Sequence, residues 1–145
     1  DLPRNVRARL GRDALTLRSG EPPSFVLPEG GVTMDLPGEA RFGPHIVVAS
    51  REAAPRGVTV DAEALGATIC IRRRRPGDRF QPLGMSETKK LQDFFVDARV
   101  ARDQRDNVPL FEAPRGIAAV GDLRIAEWAK PRRGRATLTL SYRLA

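Results

Sequence analysis

Apolar residues along this chain recur in short runs, most of them alternating with polar positions and most of them ending at Gly or Pro. That pattern predicts brief strands joined by tight turns. Ala14-Leu15-Thr16-Leu17, Phe25-Val26-Leu27 and Val32-Thr33-Met34-Asp35-Leu36 are the first three, the third ending at Pro37-Gly38, a type II turn signal. His45-Ile46-Val47-Val48-Ala49 and Val58-Thr59-Val60 follow, and residues 61–66 fit either a single helical turn or a loop. In Ala67-Thr68-Ile69-Cys70-Ile71, Ile69 and Ile71 share a face with Arg73 and Arg75, whereas Thr68 and Cys70 share the other with Arg72 and Arg74. Arginine on both faces requires the strand to leave the core near residue 72, and Pro76-Gly77-Asp78 supplies the turn.

The period then changes. Leu91, Phe94, Phe95 and Ala98 fall at i, i+3, i+4 and i+7, which predicts a helix over residues 88–97 with one apolar stripe. Lys89 and Lys90 then occupy its first turn, the wrong end for cations unless an anion sits there. A second short helix is expected from about Ala101 to just before Pro109. Strands return at residues 108–111, 116–121, 123–126 and 137–142, with a basic loop, Lys130-Pro131-Arg132-Arg133-Gly134-Arg135, between the last two. The order is that of an α+β class: a β-rich domain with a short two-helix insert. Residues 30–145 form the expected domain, and residues 1–29 a linker or N-terminal strands of a truncated chain. Asp1-Leu2-Pro3-Arg4-Asn5 has no starting Met and no signal pattern, and reads as the cut end of a longer protein.

Charge sharpens this picture. The net +7 of the 145 residues is unevenly placed: residues 1–68 sum to −1, residues 69–105 to +5 and residues 106–145 to +3. A positive field confined to the middle and end of the chain suits a polyanion-binding face. Lys89, Lys90 and Lys130 are the only lysines, so the field is carried by arginine. Arginine matches phosphate bidentately, and a GC-rich genome enriches it equally. No apolar run approaches the ~18–20 residues of a membrane-spanning helix.

Catalytic constellations are poorly supplied. One His (His45) and one Cys (Cys70), 25 positions apart, make no zinc site and leave a nucleophile without a base. His45 is expected at a turn or on the surface, and Cys70 as a small packing residue in a reducing compartment. What remains is Arg72, Arg73, Arg74, Arg75, Arg79, Lys89, Lys90, Arg102 and Arg105. These either contact a phosphate backbone or pair with Asp78, Asp93, Asp97, Asp103 and Asp106. Leu91, Phe94 and Phe95 are expected in the core, while Phe80 and Trp128 are the aromatics available for stacking on bases.

The ordered motifs RRRRPGDRF, KKLQDFFVDARVARDQRDNVPLF and GIAAVGDLRI resemble the C-terminal domain of bacterial tRNA(Ile)-lysidine synthetase, most strongly over residues 69–127. The resemblance implies a fold shared with a domain of the phenylalanyl-tRNA synthetase β subunit. It implies a cytoplasmic parent enzyme, a ligase that uses ATP to couple lysine to the wobble cytidine of tRNA(Ile). The parent's catalytic ATP-pyrophosphatase domain, with its Ser-Gly-Gly-x-Asp-Ser loop, has no counterpart here, so this chain alone is expected to carry no catalytic residue, no cofactor and no metal. Its partners would be tRNA(Ile) and its own N-terminal catalytic domain. By that resemblance Arg72, Arg74, Arg75, Arg79, Lys89, Lys90 and Arg105 contact tRNA. The alternative is a docking module whose basic face binds acidic protein surfaces.

Overall fold

The computed structural model describes residues 31–145, so the strands expected at residues 14–17 and 25–27 lie outside the described part. In chain order the elements are β1 (Val32–Asp35), β2 (Gly38–Phe42), β3 (His45–Ser50), β4 (Val58–Asp61), α1 (Ala62–Leu65), β5 (Thr68–Arg72), β6 (Arg79–Phe80), β7 (Lys89–Lys90), α2 (Leu91–Asp97), β8 (Leu110–Ala113), β9 (Gly116–Val120), β10 (Arg124–Ile125) and β11 (Thr137–Leu144). Short 3-10 turns occupy Arg102–Asn107 and Glu127–Ala129. Every strand pairing among the described residues is antiparallel.

Two sheets form. One runs β1-β5-β8-β9-β10 and the other β2-β3-β11-β4, while β6 and β7 make a separate two-stranded ribbon. Alternation leaves β1 and β2 buried on one face, whereas β8 and β9 are enclosed on both, with adjacent Leu110 and Phe111 and all of Ile117, Ala118, Ala119 and Val120 buried. Ile69 and Ile71 of β5, Leu110 and Phe111 of β8, Val47 of β3, Val60 of β4 and Leu140 of β11 all belong to one core cluster. Phe95, projected from α2, is fully enclosed in the same cluster. Burying such side chains stabilises by about 1.5–3 kcal/mol each, and it is this shared core that fixes where β5 ends.

Several expectations are corrected in detail. Gly38 is not among the residues with positive φ, so the reversal after β1 is not a type II turn; Gly38 instead opens β2. That strand, unforeseen from the sequence, alternates Ala40 and Phe42 inward with Glu39 and Arg41 outward. Lys89 and Lys90 do not occupy the first turn of a helix. They pair with Phe80 and Arg79 as β7, and α2 begins one residue later. Ala98 falls off the apolar stripe as the C-cap of α2 and is exposed. The second helix is present where expected but as a tighter 3-10 turn. His45 is half-buried against Tyr142, ring centroids 5.2 Å apart, and burial lowers its pKa.

The end of α2 carries a small conflict between sequence and geometry. The N–H of Arg99 donates to Val96 O and that of Val100 to Phe95 O, both at 3.0 Å, which is the Schellman pattern. Arg99 sits at its left-handed position, φ 60°, where glycine is normally preferred. Arg99→Gly is therefore expected to raise stability by about 1 kcal/mol, seen as a higher urea midpoint with an unchanged m value. An unchanged or lower midpoint would count against a strained Arg99.

Candidate functional site

The arginine run leaves β5 at its last residue. Arg72 belongs to the face of Cys70, and opposite Cys70 on β8 stands Glu112. Glu112 takes two bonds from the Arg72 guanidinium, Nε to Oε1 at 3.0 Å and Nη2 to Oε2 at 3.1 Å. Asp78 takes two more at 3.0 Å each. Arg72 is only 4% exposed between these carboxylates. Burial opposes its charge, but the bonds to Asp78 and Glu112 outweigh that and hold its pKa above the ordinary arginine range. A buried cation this well matched is a structural part rather than a free hand for a ligand.

Asp78 does more than hold Arg72. Its Oδ2 accepts the Arg75 N–H at 2.7 Å, and its own N–H donates to Arg75 O at 3.2 Å. Pro76 and Gly77 stand between, with Gly77 at φ 86°, so this reversal has the residues and the bond of a type II turn. Asp78 O then accepts the Leu91 N–H at 2.9 Å. One residue thus ties the end of β5, the Pro-Gly turn and the start of α2 together.

Around this knot lies a groove of about 640 Å³ lined by residues 74–79, 90–92 and 106. Arg74, Arg75, Arg79 and Lys90 bring cations to it. Arg79 and Lys90 are direct cross-strand partners in the ribbon, an unfavourable placement of like charges. Arg79 rests its Nε on Thr88 Oγ1 at 3.3 Å. At the rim Arg74 Nε bonds Asp106 Oδ1 at 2.9 Å, with Asp106 more than half exposed.

The seven residues assigned to tRNA contact by resemblance therefore divide. Arg74, Arg75, Arg79 and Lys90 share the groove. Lys89 is paired with Asp97 and does not line it. Arg72 is buried as described. Arg105 is buried too, its Nε donating to Val100 O at 3.0 Å and its guanidinium 5.9 Å from the Phe95 ring centre. Of the acids expected to brace arginines, Asp78 and Asp106 do so, Asp97 holds a lysine, and Asp93 and Asp103 form no ion pair among the described residues. Sequence reasoning missed Glu112, which reaches Arg72 across 40 residues; only strand pairing brings it there. Phe80 is buried edge-on against Phe94, ring centroids 5.2 Å apart, which removes it as a base-stacking surface.

Fold and groove together define a class: a two-sheet, β-rich domain that presents a cationic concavity at the end of a central strand. Residues 69–142 match the family described as the TilS substrate C-terminal domain. The chain belongs to that family. It is 54% identical over 54 residues to a tRNA(Ile)-lysidine synthase of Symbiobacterium thermophilum, a match covering 37% of this chain and 11% of the relative. With the tRNA(Ile)-lysidine synthase of Dehalococcoides mccartyi it shares 36% identity over 86 residues, 59% of this chain and 18% of that one. Among solved structures it is similar to a crystal structure of the TILS C-terminal domain, with TM-score 0.60, 26% identity, and coverage of 79% of this chain and 97% of the other. The matches thus span less than a fifth of the length of these two curated relatives.

Proposed function

We propose that this domain holds the sugar–phosphate backbone of tRNA(Ile) in its groove for a tRNA(Ile)-lysidine synthase. The observation that carries the reading is the Arg79–Lys90 cross-strand pair, facing the same groove as Arg74 and Arg75. Like charges set opposite one another cost stability, and a bound phosphate reverses that cost. Arginine forks add bidentate geometry to the charge. In this reading the chain supplies grip and no chemistry. ATP and lysine are handled by a separate N-terminal catalytic domain of the parent ligase, in the cytoplasm.

The 145-residue chain is expected to bind tRNA with log Kobs falling against log salt, the four groove cations contributing about −3 to −4 to the slope by each neutralising one phosphate. Fluorescence anisotropy across about 50–200 mM salt measures it. An affinity independent of salt, or no binding at the low end, would sink the reading. A second reading has one observation in its favour: Arg74 and Lys89 already take carboxylates, from Asp106 and Asp97. The groove would then dock an acidic surface of the parent's catalytic part, and association with that part in the absence of tRNA distinguishes the two.

A further inference from the structure

The basic loop between β10 and β11 is untouched by the groove. Its stem is rooted in the core: Ala129 is fully buried, and Ala62 N donates to Ala136 O at 3.0 Å on the other side. Arg135 enters a pair with Asp61, Nη2 to Oδ2 at 2.7 Å, and that carboxylate is itself 0% exposed. Arg135 N also donates to Arg132 O at 3.2 Å, around Gly134 at φ 80°, so the tip is a tight turn. Arg132 and Arg133 are left on that tip, exposed and without an ion pair among the described residues. The neighbouring Glu127 carboxylate is already bonded to the Gly84 N–H and to Lys130. Beside the stem, Arg115 lies over the Trp128 ring at 5.4 Å.

Topology places this loop away from the groove. Arg72 pairs with Leu110 at the groove end of β8, whereas Arg115 lies in the β8–β9 turn at the other end. The extended part of β8, Leu110–Ala113, is three steps of about 3.4 Å, which sets the turn roughly 10 Å or more from the groove end. The segment after Arg79 runs between them, with Leu83 N bonded to Ile125 O and Glu127 N to Gln81 O. Arg124 reaches Leu83 O at 3.3 Å along the same edge, adding a cation midway.

We infer that Arg132 and Arg133 form a second phosphate contact, engaging the same RNA that occupies the groove at a backbone segment several nucleotides away. The inference rests on the RNA reading of the groove. A tight turn presenting two exposed guanidinium groups that make no ion pair among the described residues suits a ligand whose charges repeat regularly, and a nucleic-acid backbone is such a ligand.

The test compares tRNA binding by the 145-residue chain with that of the Arg132→Ala/Arg133→Ala variant. The expected result is about 10-fold weaker binding near 0.1 M salt and a salt slope shallower by about 1.4–1.8. Arg132→Lys/Arg133→Lys keeps the slope, because charge alone is sufficient at a phosphate. Equal urea midpoints for the variants and the parent chain show that folding is intact. Unchanged affinity and slope in the alanine variant overturn the second contact while leaving the groove reading standing. Failure of the unsubstituted chain to bind RNA overturns both.

Discussion

Arg72→Ala is expected to lower the free energy of unfolding by about 3–5 kcal/mol, although it removes only one of four consecutive arginines. The side chain is 4% exposed and makes two bonds to Asp78 and two to Glu112. Its loss leaves two carboxylates facing one another without a cation and empties the volume between β5, β8 and the Pro-Gly turn. Arg74→Ala provides the contrast. Its partner Asp106 is 56% exposed, and exposed pairs contribute about 0–1 kcal/mol. Urea unfolding of both variants, compared at constant m, measures the difference. If Arg72→Ala cost no more than Arg74→Ala, Arg72 would have no structural claim.

The largest effect on binding is expected from Arg74→Ala/Arg75→Ala/Lys90→Ala. Three cations leave the groove while the Asp78 network stays intact, since Asp78 bonds the backbone of Arg75 and not the removed side-chain atoms. Stability should change by no more than about 1 kcal/mol for each of these residues, Arg75 and Lys90 being exposed and Arg74 part-exposed beside an exposed partner. Affinity for tRNA should fall by about 100-fold or more near 0.1 M salt, with the salt slope shallower by about 2–3. Loss of affinity with an unchanged slope would mean that these groups do not meet phosphates. Unchanged affinity would remove the groove from the binding surface.

Much of this was legible beforehand, because the informative signals were local. Period-2 runs such as 67–71 and 137–142 announced the strands found at Thr68–Arg72 and Thr137–Leu144, and Pro76-Gly77 announced its turn. Arginine on both faces of the run required the strand to leave the core near residue 72, and β5 ends at Arg72. The apolar stripe of α2 was legible at Leu91, Phe94 and Phe95, all of them buried. What the chain could not declare was anything decided by a distant partner. Glu112 comes from 40 residues away, so nothing local singled out Arg72 from the arginines after it. Lys89 and Lys90 looked helical because β7 is only two residues long and its partner, Arg79–Phe80, is equally short. Arg105 looked like a surface cation because its neighbours are polar, whereas Phe95 and the Val100 carbonyl enclose it.

The triple attachment of Asp78 has a thermodynamic consequence. Its carboxylate fixes the strand end and the turn, and its carbonyl fixes the first residue of α2. A cationic loop free of such ties would have to be ordered by its ligand, with a conformational cost of about 1–2 kcal/mol for each residue immobilised. Here that ordering is completed during folding. Calorimetry of the complex should therefore show little of the heat-capacity change that accompanies coupled folding and binding, and the groove should exclude ligands whose charges do not fit its fixed spacing.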